Sequence, residues 1–540
     1  MSIARLLDPA FASSDTPFRR LTVPSGSLVS EEQRGRAVLT VDAAVLRQLA
    51  YEAFRDINFF FRTSQLSAWA AIIDDGAASD NDRLVAAALL KNAAISAEGV
   101  LPSCQDTGTA TVFGLKGERL RTGADDEEAF TAGIREAYAA HNLRFSQVTP
   151  LSLLEDADTR TNLPAQIDIS SVSAEGPGGA DYRLLFIAKG GGSANKTAFF
   201  QETRALLTEQ AFDSFLREKV RSLGTAGCPP YHLCVVIGGA SPEQNLKILK
   251  LGTAGALDAL SARPPAPYRD HAAEAHLLAH ARETGLGAQF GGRFLALDAR
   301  VIRMARHAAS LPVSIGVSCS AHRNALARVD ADGVWLEDFD RDPGRFLPRA
   351  LTVLSDAASA SPRIDLDRPP RAICAELSRC RLGALVLLSG PLIVARDAAH
   401  ALLARLLAQG EALPEWFLRH AVYYAGPANT PPGRVIGSFG PTTAQRMDPY
   451  VRSFMAAGGS LVMIAKGNRS AGVVAACKEF GGFSLGTIGG AAALIAQENI
   501  VGQEMVAWPE LGMEAIRRIE VRDLPAFVVI DDKGGNLYAM

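Results

Sequence analysis

Residues 384–410, ALVLLSGPLIVARDAAHALLARLLAQG, pass from a run of aliphatic residues into a stretch whose leucines recur at helical spacing. ALVLLSG reads as a buried strand and RDAAHALLARLLAQG as a helix. HAVYYAG (420–426) then reads as a strand and SLVMIAKGN (460–468) as another, a helix runs through AACKEF (475–480), and GFSLGTIGG (482–490) is strand again. Strand and helix in alternation predict an α/β layer domain over residues 372–540. Its end, EAIRRIEVRDLPAFVVIDDKGGNLY, reads as further strands, the last two joined by a turn at Lys533-Gly534-Gly535-Asn536. The most apolar run, Leu382 to Val394, is interrupted by Ser389-Gly390-Pro391 and is too short to span a bilayer.

Upstream, residues 341–371 mix Pro, Ser, Ala and charge and read as a linker with at most one strand. Residues 1–340 are expected to form an α+β domain of their own. VLRQLAYEAFRDINFFF and DNDRLVAAALLKNAAIS carry apolar residues at helical spacing, with Asp80 and Asp82 placed as N-cap residues of the second. TATVFGL, YRLLFIA and YHLCVVIGG read as strands; AFFQETRALLTEQAFDSFLREKVRSLG and LDARVIRMARHAAS read as helices.

The 540-residue length suits two or more domains. A hydrophobic content of 48%, a charged content of 21% and a net charge of −3 describe a globular protein with no basic surplus for a nucleic acid. Seven cysteines, odd in number and sparse, do not form a disulfide framework and suggest a reducing compartment, so a cytoplasmic location is expected. The N-terminal stretch lacks the basic then apolar pattern of a secretory signal, and Asp8 and Asp15 argue against a transit peptide.

Chemistry-bearing residues concentrate on Gly-rich polar turns. Cys104 lies in LPSCQDTGTATVFG, Cys228 in LGTAGCPPYHLCVVIGG and Cys319 in SIGVSCSAHRNALARV. None has the short spacing of a zinc ribbon, and single cysteines on separate turns suit one site assembled from three parts of a fold. Three thiolates on a four-iron cluster leave one iron without a protein ligand, the opening a Lewis-acid catalyst needs. Each stretch alone also reads as a buried structural cysteine. Pro229-Pro230 remove two N–H donors and stiffen the turn after Cys228. Cys234, inside LCVVI, reads as core, and Cys374, Cys380 and Cys477 as structural.

The loop at residues 189–197, KGGGSANKT, narrowly misses a phosphate loop, because Asn195 replaces the second glycine. A nucleotide-dependent enzyme is therefore a competing reading. The loop also suits donation of backbone N–H groups to a carboxylate. A non-catalytic iron–sulfur sensor or electron carrier is a third reading. Gly285 to Phe290 fails the dinucleotide pattern at its third glycine. In the second domain Arg396, Arg446 and Lys466 each follow a predicted strand close to a Gly-containing turn, as suits a substrate with more than one carboxylate.

Together, SCQDTGTA, KGGGSANK, CPPYHLCVVIGG, RHAASLPVSIGVSCSAHR, SGPLIVARDAAH, YAGPANTPPGRVIGSFGPTTAQRMD, IAKGNRS, GGFSLGTIGG and ELGMEA resemble the class I, iron–sulfur-dependent fumarate hydratases, in that family's order from about residue 100 to 515. The resemblance implies a 4Fe–4S cluster on Cys104, Cys228 and Cys319. It implies substrate binding by Gln105, Arg144, Gly192, Arg396, Arg446 and Lys466, and catalysis by Thr442, as base at carbon, with Asp106 and His307 handling the proton at oxygen. It also implies a site between the two domains, a small dicarboxylate substrate and a homodimer. The implied reaction is reversible hydration of fumarate to malate, with mesaconate and tartrate as the substrates of relatives. Two positions depart from the family: His322 stands where it usually has Asp, and Gln445 where it usually has Gly.

Overall fold

A computed structural model describes residues 3–12, 16–153, 155–175 and 178–539; Asp15 lies outside them. The first expected helix is Ala43–Phe59, whose start is capped by the Asp42 carboxylate accepting the Ala44 N–H at 2.8 Å. The second is Asp80–Ser96, but its cap is Ser79 rather than either aspartate. Ser79 Oγ accepts the Asp82 N–H at 3.0 Å and the Asp82 carboxylate accepts the Ser79 N–H at 3.2 Å. This reciprocal box satisfies two orphan donors at once. A further helix, Thr63–Asp74, lies between them in the chain. Helix Asp80–Ser96 is buried on most of its circumference, with Leu84 to Leu90 all in the core.

The segment read as a linker is structured. Residues Leu347–Ala360 form a helix that packs on Asp80–Ser96, Arg363–Asp365 is an edge strand, and Pro370–Leu377 is a helix. Its Ala- and Ser-rich composition concealed a helix with Pro348 at the start, where the missing N–H is unneeded.

Two larger sheets dominate the first part of the chain, beside a three-stranded and a two-stranded one. One runs Phe18–Leu21, Gly333–Glu337, Asn324–Asp330, Tyr182–Lys189, Thr109–Gly117 and Gln166–Val172 in spatial order. The other runs Ala198–Glu202, Leu311–Ser318, Tyr231–Gly239, Ala296–Arg306 and Tyr268–Arg269. The expected strands are present, but two expected helices are corrected. Ala198–Glu202, read as the start of a long helix, is an edge strand; the helix begins at Glu209. LDARVIRMARHAAS is the strand Ala296–Arg306, paired parallel to Tyr231–Gly239 and antiparallel to Tyr268–Arg269. Its Leu297, Val301 and Ile302 fit a helical spacing, yet tertiary pairing overrides so weak a local signal.

The second part contains the expected strands and helices, with helices Asp397–Ala408 and Ala471–Phe480. The α/β class holds, but the expected layer is curled into a closed ring. Leu385–Val394, Ala421–Tyr423, Val462–Ala465 and Phe483–Gly486 are successively parallel. The strand Ile516–Ile530 then pairs antiparallel with both Phe483–Gly486 and Leu385–Val394, joining the two ends. Its length permits this, and it merges the strands read before the turn at 533–536, while Leu537–Ala539 beyond that turn is a short 3-10 helix rather than the expected last strand. Leu385–Val394 also runs through Ser389-Gly390-Pro391 without ending there. A register shift between Leu388 and Gly390, with Gly390 at φ +115°, absorbs the irregularity as a bulge. No helix among the described residues is long and apolar enough to cross a membrane.

Candidate active site

The turn 103–107 precedes strand Thr109–Gly117 and carries Cys104, Gln105 and Asp106. The Cys104 thiol lies 3.4 Å from Gln105 Oε1, and Gln105 Nε2 donates to the Pro441 carbonyl at 3.1 Å, reaching across to the second part of the chain. Gly440 permits that approach, since a Cβ there would stand 2.5 Å from Gln105 Oε1. Cys228 occupies the left-handed region at φ +61° before its two prolines. Its carbonyl accepts the Ser320 N–H at 3.0 Å, tying the Cys228 turn to the Cys319 turn. The three thiols lie within electrostatic reach of one another.

All seven cysteines are unpaired. Burial pushes the Cys104 thiol up to about 11, partly offset by Arg323. Burial also raises Cys228, opposed by Lys466, whose ammonium is 2.8 Å from its sulfur. Lys466 is raised overall: burial alone would lower it, but Cys228, Cys104 and Asp106 outweigh that. Among the described residues no His, Cys, Asp and Glu groups converge closely enough for a single metal ion. Three separate thiols with cations beside them fit instead a multi-metal cluster, in which each thiolate binds its own iron. Gly489 leaves the space this needs, because a Cβ there would overlap Cys228 Sγ.

Beside the thiols is a cavity of about 210 Å³, bordered by Gln105, Asp106, Thr109, Arg144, Ser146, Gly191, Gly192, Asn195, Arg396, Pro441, Thr442, Thr443, Arg446 and Lys466. Arg144 Nε is buried there without a hydrogen-bond partner, and Arg396 Nε is 3.6 Å from Glu514, an ion pair beyond hydrogen-bond distance. Arg396 is 3% exposed; burial and the neighbouring Arg144 push it down to about 9, still a cation at neutral pH. Arg446 stands at the mouth, 3.2 Å from Asp397. Asp106 is held below the usual carboxylate range. Burial would raise it, but Arg144, Arg323, Lys466 and the Gly191 N–H at 2.8 Å prevail. Thr442 Oγ1 donates to the Tyr424 carbonyl at 3.1 Å, and its own carbonyl accepts the Lys466 N–H at 3.2 Å, so the two side chains leave adjacent strand ends. A Cβ on Gly192 would lie 3.5 Å from Lys466 Nζ.

The cavity therefore gathers every residue that the resemblance implied for substrate binding, together with Asp106 and Thr442. His307 is not among them. It lies on the exposed turn that follows strand Ala296–Arg306, where its Nδ1 accepts the Ala309 N–H at 3.2 Å. The near-phosphate loop contributes Gly191, Gly192 and Asn195, but the Gly191 N–H is already committed to Asp106, which weakens the nucleotide reading.

A larger cavity of about 480 Å³ lies behind the Cys319 turn and includes Arg62, His232, Asp258, Asp298, Arg300, His322 and Glu337. Its charges are already matched: Arg62 on Glu337 at 2.9 Å, Arg300 on Asp258 and Asp298 at 2.6 Å each, and His232 on Asp298 at 2.8 Å. Excess positive charge, not volume, marks an anion site: Arg144, Arg396, Arg446 and Lys466 border the smaller cavity against the single lining carboxylate Asp106, so that cavity is the candidate. His322 stacks on His232 with ring centres 3.8 Å apart, and burial, followed by His232, holds it well below the usual histidine range. It thus belongs to the larger cavity, and Gln445 is exposed beside Arg446. Neither departure from the family borders the smaller cavity.

Sequence reasoning missed two supports. Gln289, buried at φ +100°, donates from Nε2 to the Pro229 and Gly489 carbonyls at 3.0 and 2.9 Å and accepts the Gly489 N–H at 2.7 Å. It fastens the Cys228 turn to the second part of the chain. Gly489 is the other, and its closeness to Cys228 spans too many residues for any local signal.

Comparison with known proteins agrees with this arrangement. The family model described as fumarate hydratase (fumerase) matches residues 47–328, and that described as fumarase C-terminus matches residues 333–540. An aerobic class I fumarate hydratase of Escherichia coli K12 is 48% identical over 527 residues, covering 97% of this chain and 94% of that protein. Fumarate hydratase 2 of Leishmania major is 48% identical over 508 residues, covering 94% and 88%. With both halves matched and the expected turns gathered around one cationic cavity, the chain belongs to the class I fumarate hydratase family.

Proposed function

We propose that this enzyme is an iron–sulfur-dependent hydro-lyase that reversibly adds water to fumarate, giving (S)-malate. The observation that carries the reading is one cavity of about 210 Å³ in which Arg144, Arg396, Arg446 and Lys466 face a common space beside three buried or half-buried thiols. Cys104, Cys228 and Cys319 would hold a 4Fe–4S cluster. When bound, the cluster supplies Lewis-acid chemistry through the iron that has no cysteine ligand.

The chain's own residues account for the rest. Arg144 has an unpaired buried N–H group, and a dicarboxylate offers oxygens to it and to Arg396. In hydration the hydroxide equivalent of water joins one olefinic carbon and a proton joins the other. Negative charge that develops between these events spreads into the adjacent carboxylate, where fixed guanidinium groups stabilise it. Asp106, kept ionised by its cationic neighbours, takes the proton that water releases. Thr442 delivers the proton at carbon and removes it in the reverse direction. Its hydroxyl is intrinsically a weak base, and the nearby Lys466 and Arg446 favour its ionised form. His307 reaches none of these groups within one chain, so no step is assigned to it.

The same reading divides the chain into a cluster-binding domain over residues 1–340 and a substrate-binding domain over residues 372–540, joined by 341–371. It has the protein act as a homodimer. A substrate panel tests it. After anaerobic reconstitution, kcat/KM is expected to be highest for fumarate and malate and lower for mesaconate and both tartrates. A methyl group is worth only about 1–3 kcal/mol of discrimination, so an advantage of mesaconate over fumarate would reassign the substrate within the family. Activity in protein stripped of iron would reject the reading altogether. Gly489→Ala tests the cluster site separately. Its Cβ has no room beside Cys228 Sγ, so iron per chain after reconstitution is expected to fall well below the wild-type value while the fold persists.

A further inference from the structure

Arg323 enters the steps above only as one of the cations that keep Asp106 ionised, and it forms no salt bridge among the described residues. It is 4% exposed, its Nε is buried with nothing to donate to, and its Nη1 donates to the Asn58 amide oxygen at 3.1 Å. Isolated burial of a guanidinium is costly unless anions or polar groups face it. The groups whose charge favours it are Cys104, Cys319 and Asp106, which together outweigh the penalty of burial. Gly190 makes room, since a Cβ there would crowd both Asp106 Oδ2, at 2.9 Å, and Arg323 Nη2, at 3.2 Å.

Asn58 fixes the arrangement. At the end of helix Ala43–Phe59 and 1% exposed, it donates from Nδ2 to the Phe54 carbonyl at 2.8 Å, which turns its amide oxygen toward Arg323. Its own carbonyl accepts the Ser103 N–H at 2.9 Å, next to Cys104. One residue thus positions both the Cys104 turn and the guanidinium.

We propose that Arg323, oriented by Asn58, is a positioning residue that retains the iron–sulfur cluster by offsetting the negative charge of the ligating thiolates. The inference rests on Cys104, Cys228 and Cys319 being the ligands. It separates two roles that a single loss of activity would merge. In the iron-free protein Arg323 makes one side-chain hydrogen bond, to Asn58, and an apolar side chain of similar length there removes the desolvation cost of a buried guanidinium. In the loaded protein the same replacement leaves thiolates uncompensated.

The test compares wild type, Arg323→Met and Arg323→Lys, each reconstituted anaerobically with ferrous iron and sulfide. The measurements are iron per chain, decay of the cluster absorbance in air and Tm of the iron-free protein. Arg323→Met is expected to melt within a few degrees of wild type when iron-free, but to lose its absorbance about 10–100-fold faster, the scale on which outer partners of metal ligands act. Arg323→Lys, which keeps the charge but not the planar fork, is expected to fall between. Wild-type retention in Arg323→Met would overturn the inference. So would a parallel fall in iron-free Tm and retention with no rescue by lysine, which is the mark of a purely structural residue. Failure of wild type to take up iron, or full loading of a Cys319→Ser variant, would instead defeat the ligand reading beneath it.

Discussion

Cys319→Ser is expected to abolish the broad iron–sulfur absorbance and the hydratase activity together. A serine hydroxyl is a poor thiolate substitute, and loss even of an outer partner of a metal ligand costs about 10–100-fold, so loss of a ligand should exceed that range. The fold should survive, because Cys319 is half-buried and its backbone, through its carbonyl and the His322 N–H at 3.0 Å, carries the local turn. Cys104→Ser and Cys228→Ser are expected to behave alike. Cys234→Ala is the contrasting variant. On strand Tyr231–Gly239, its sulfur is fully buried against Gly252 of helix Pro242–Thr253, and Cys234 does not border the 210 Å³ cavity. Its iron content and kcat should match wild type, with at most a small drop in Tm. A loaded, active Cys319→Ser enzyme, or cluster loss in Cys234→Ala, would mean that the thiols were wrongly assigned.

Thr442→Ala is expected to lower kcat by about 10²–10⁴-fold, the usual contribution of a positioned acid–base group, with little change in KM. The variant loses one hydrogen bond, from Oγ1 to the Tyr424 carbonyl, worth about 1 kcal/mol of stability. Its backbone bonds to Tyr424 and Lys466 remain, so the site keeps its shape. Cluster absorbance should be unaltered, which separates this variant from the cysteine replacements. Exchange of the substrate's C3 proton with solvent provides the sharper readout: it should slow in step with kcat. Turnover close to wild type would place the base elsewhere in the cavity.

Much of this site was legible because its residues sit on Gly-rich polar turns between apolar runs. Gln105-Asp106, Arg396, Thr442, Arg446 and Lys466 stand where strands end, and the structure brings those ends around one cavity. What failed to read was whatever depends on partners distant in the chain. Ala296–Arg306 looks helical by spacing and is a strand because Tyr231–Gly239 pairs with it; His307 accordingly lies on an exposed turn instead of at a helix end. Residues 341–371 lack the apolar pattern of a core element because the helix there buries only Ala350 fully. The closure of the second sheet depends on a strand long enough to pair with both ends, which no local signal reveals.

By itself the sequence determined the α/β class, the strands that deliver the site and the residue types able to bind thiolate-ligated iron and a dianion. These follow from short-range pattern: apolar runs bury, glycine permits tight turns, and charged residues at strand ends stay near an opening. Only the tertiary structure decided which of these residues border one cavity. It also showed that Gln289 and Asn58 bond to the cysteine turns and that Gly489 leaves room beside Cys228. The physical reason is that charge compensation and close packing are properties of pairs. A guanidinium reads the same in sequence whether it pairs with a carboxylate, as Arg300 pairs with Asp258, or lies near the Cys104 and Cys319 thiols, as Arg323 does, and burial makes the difference.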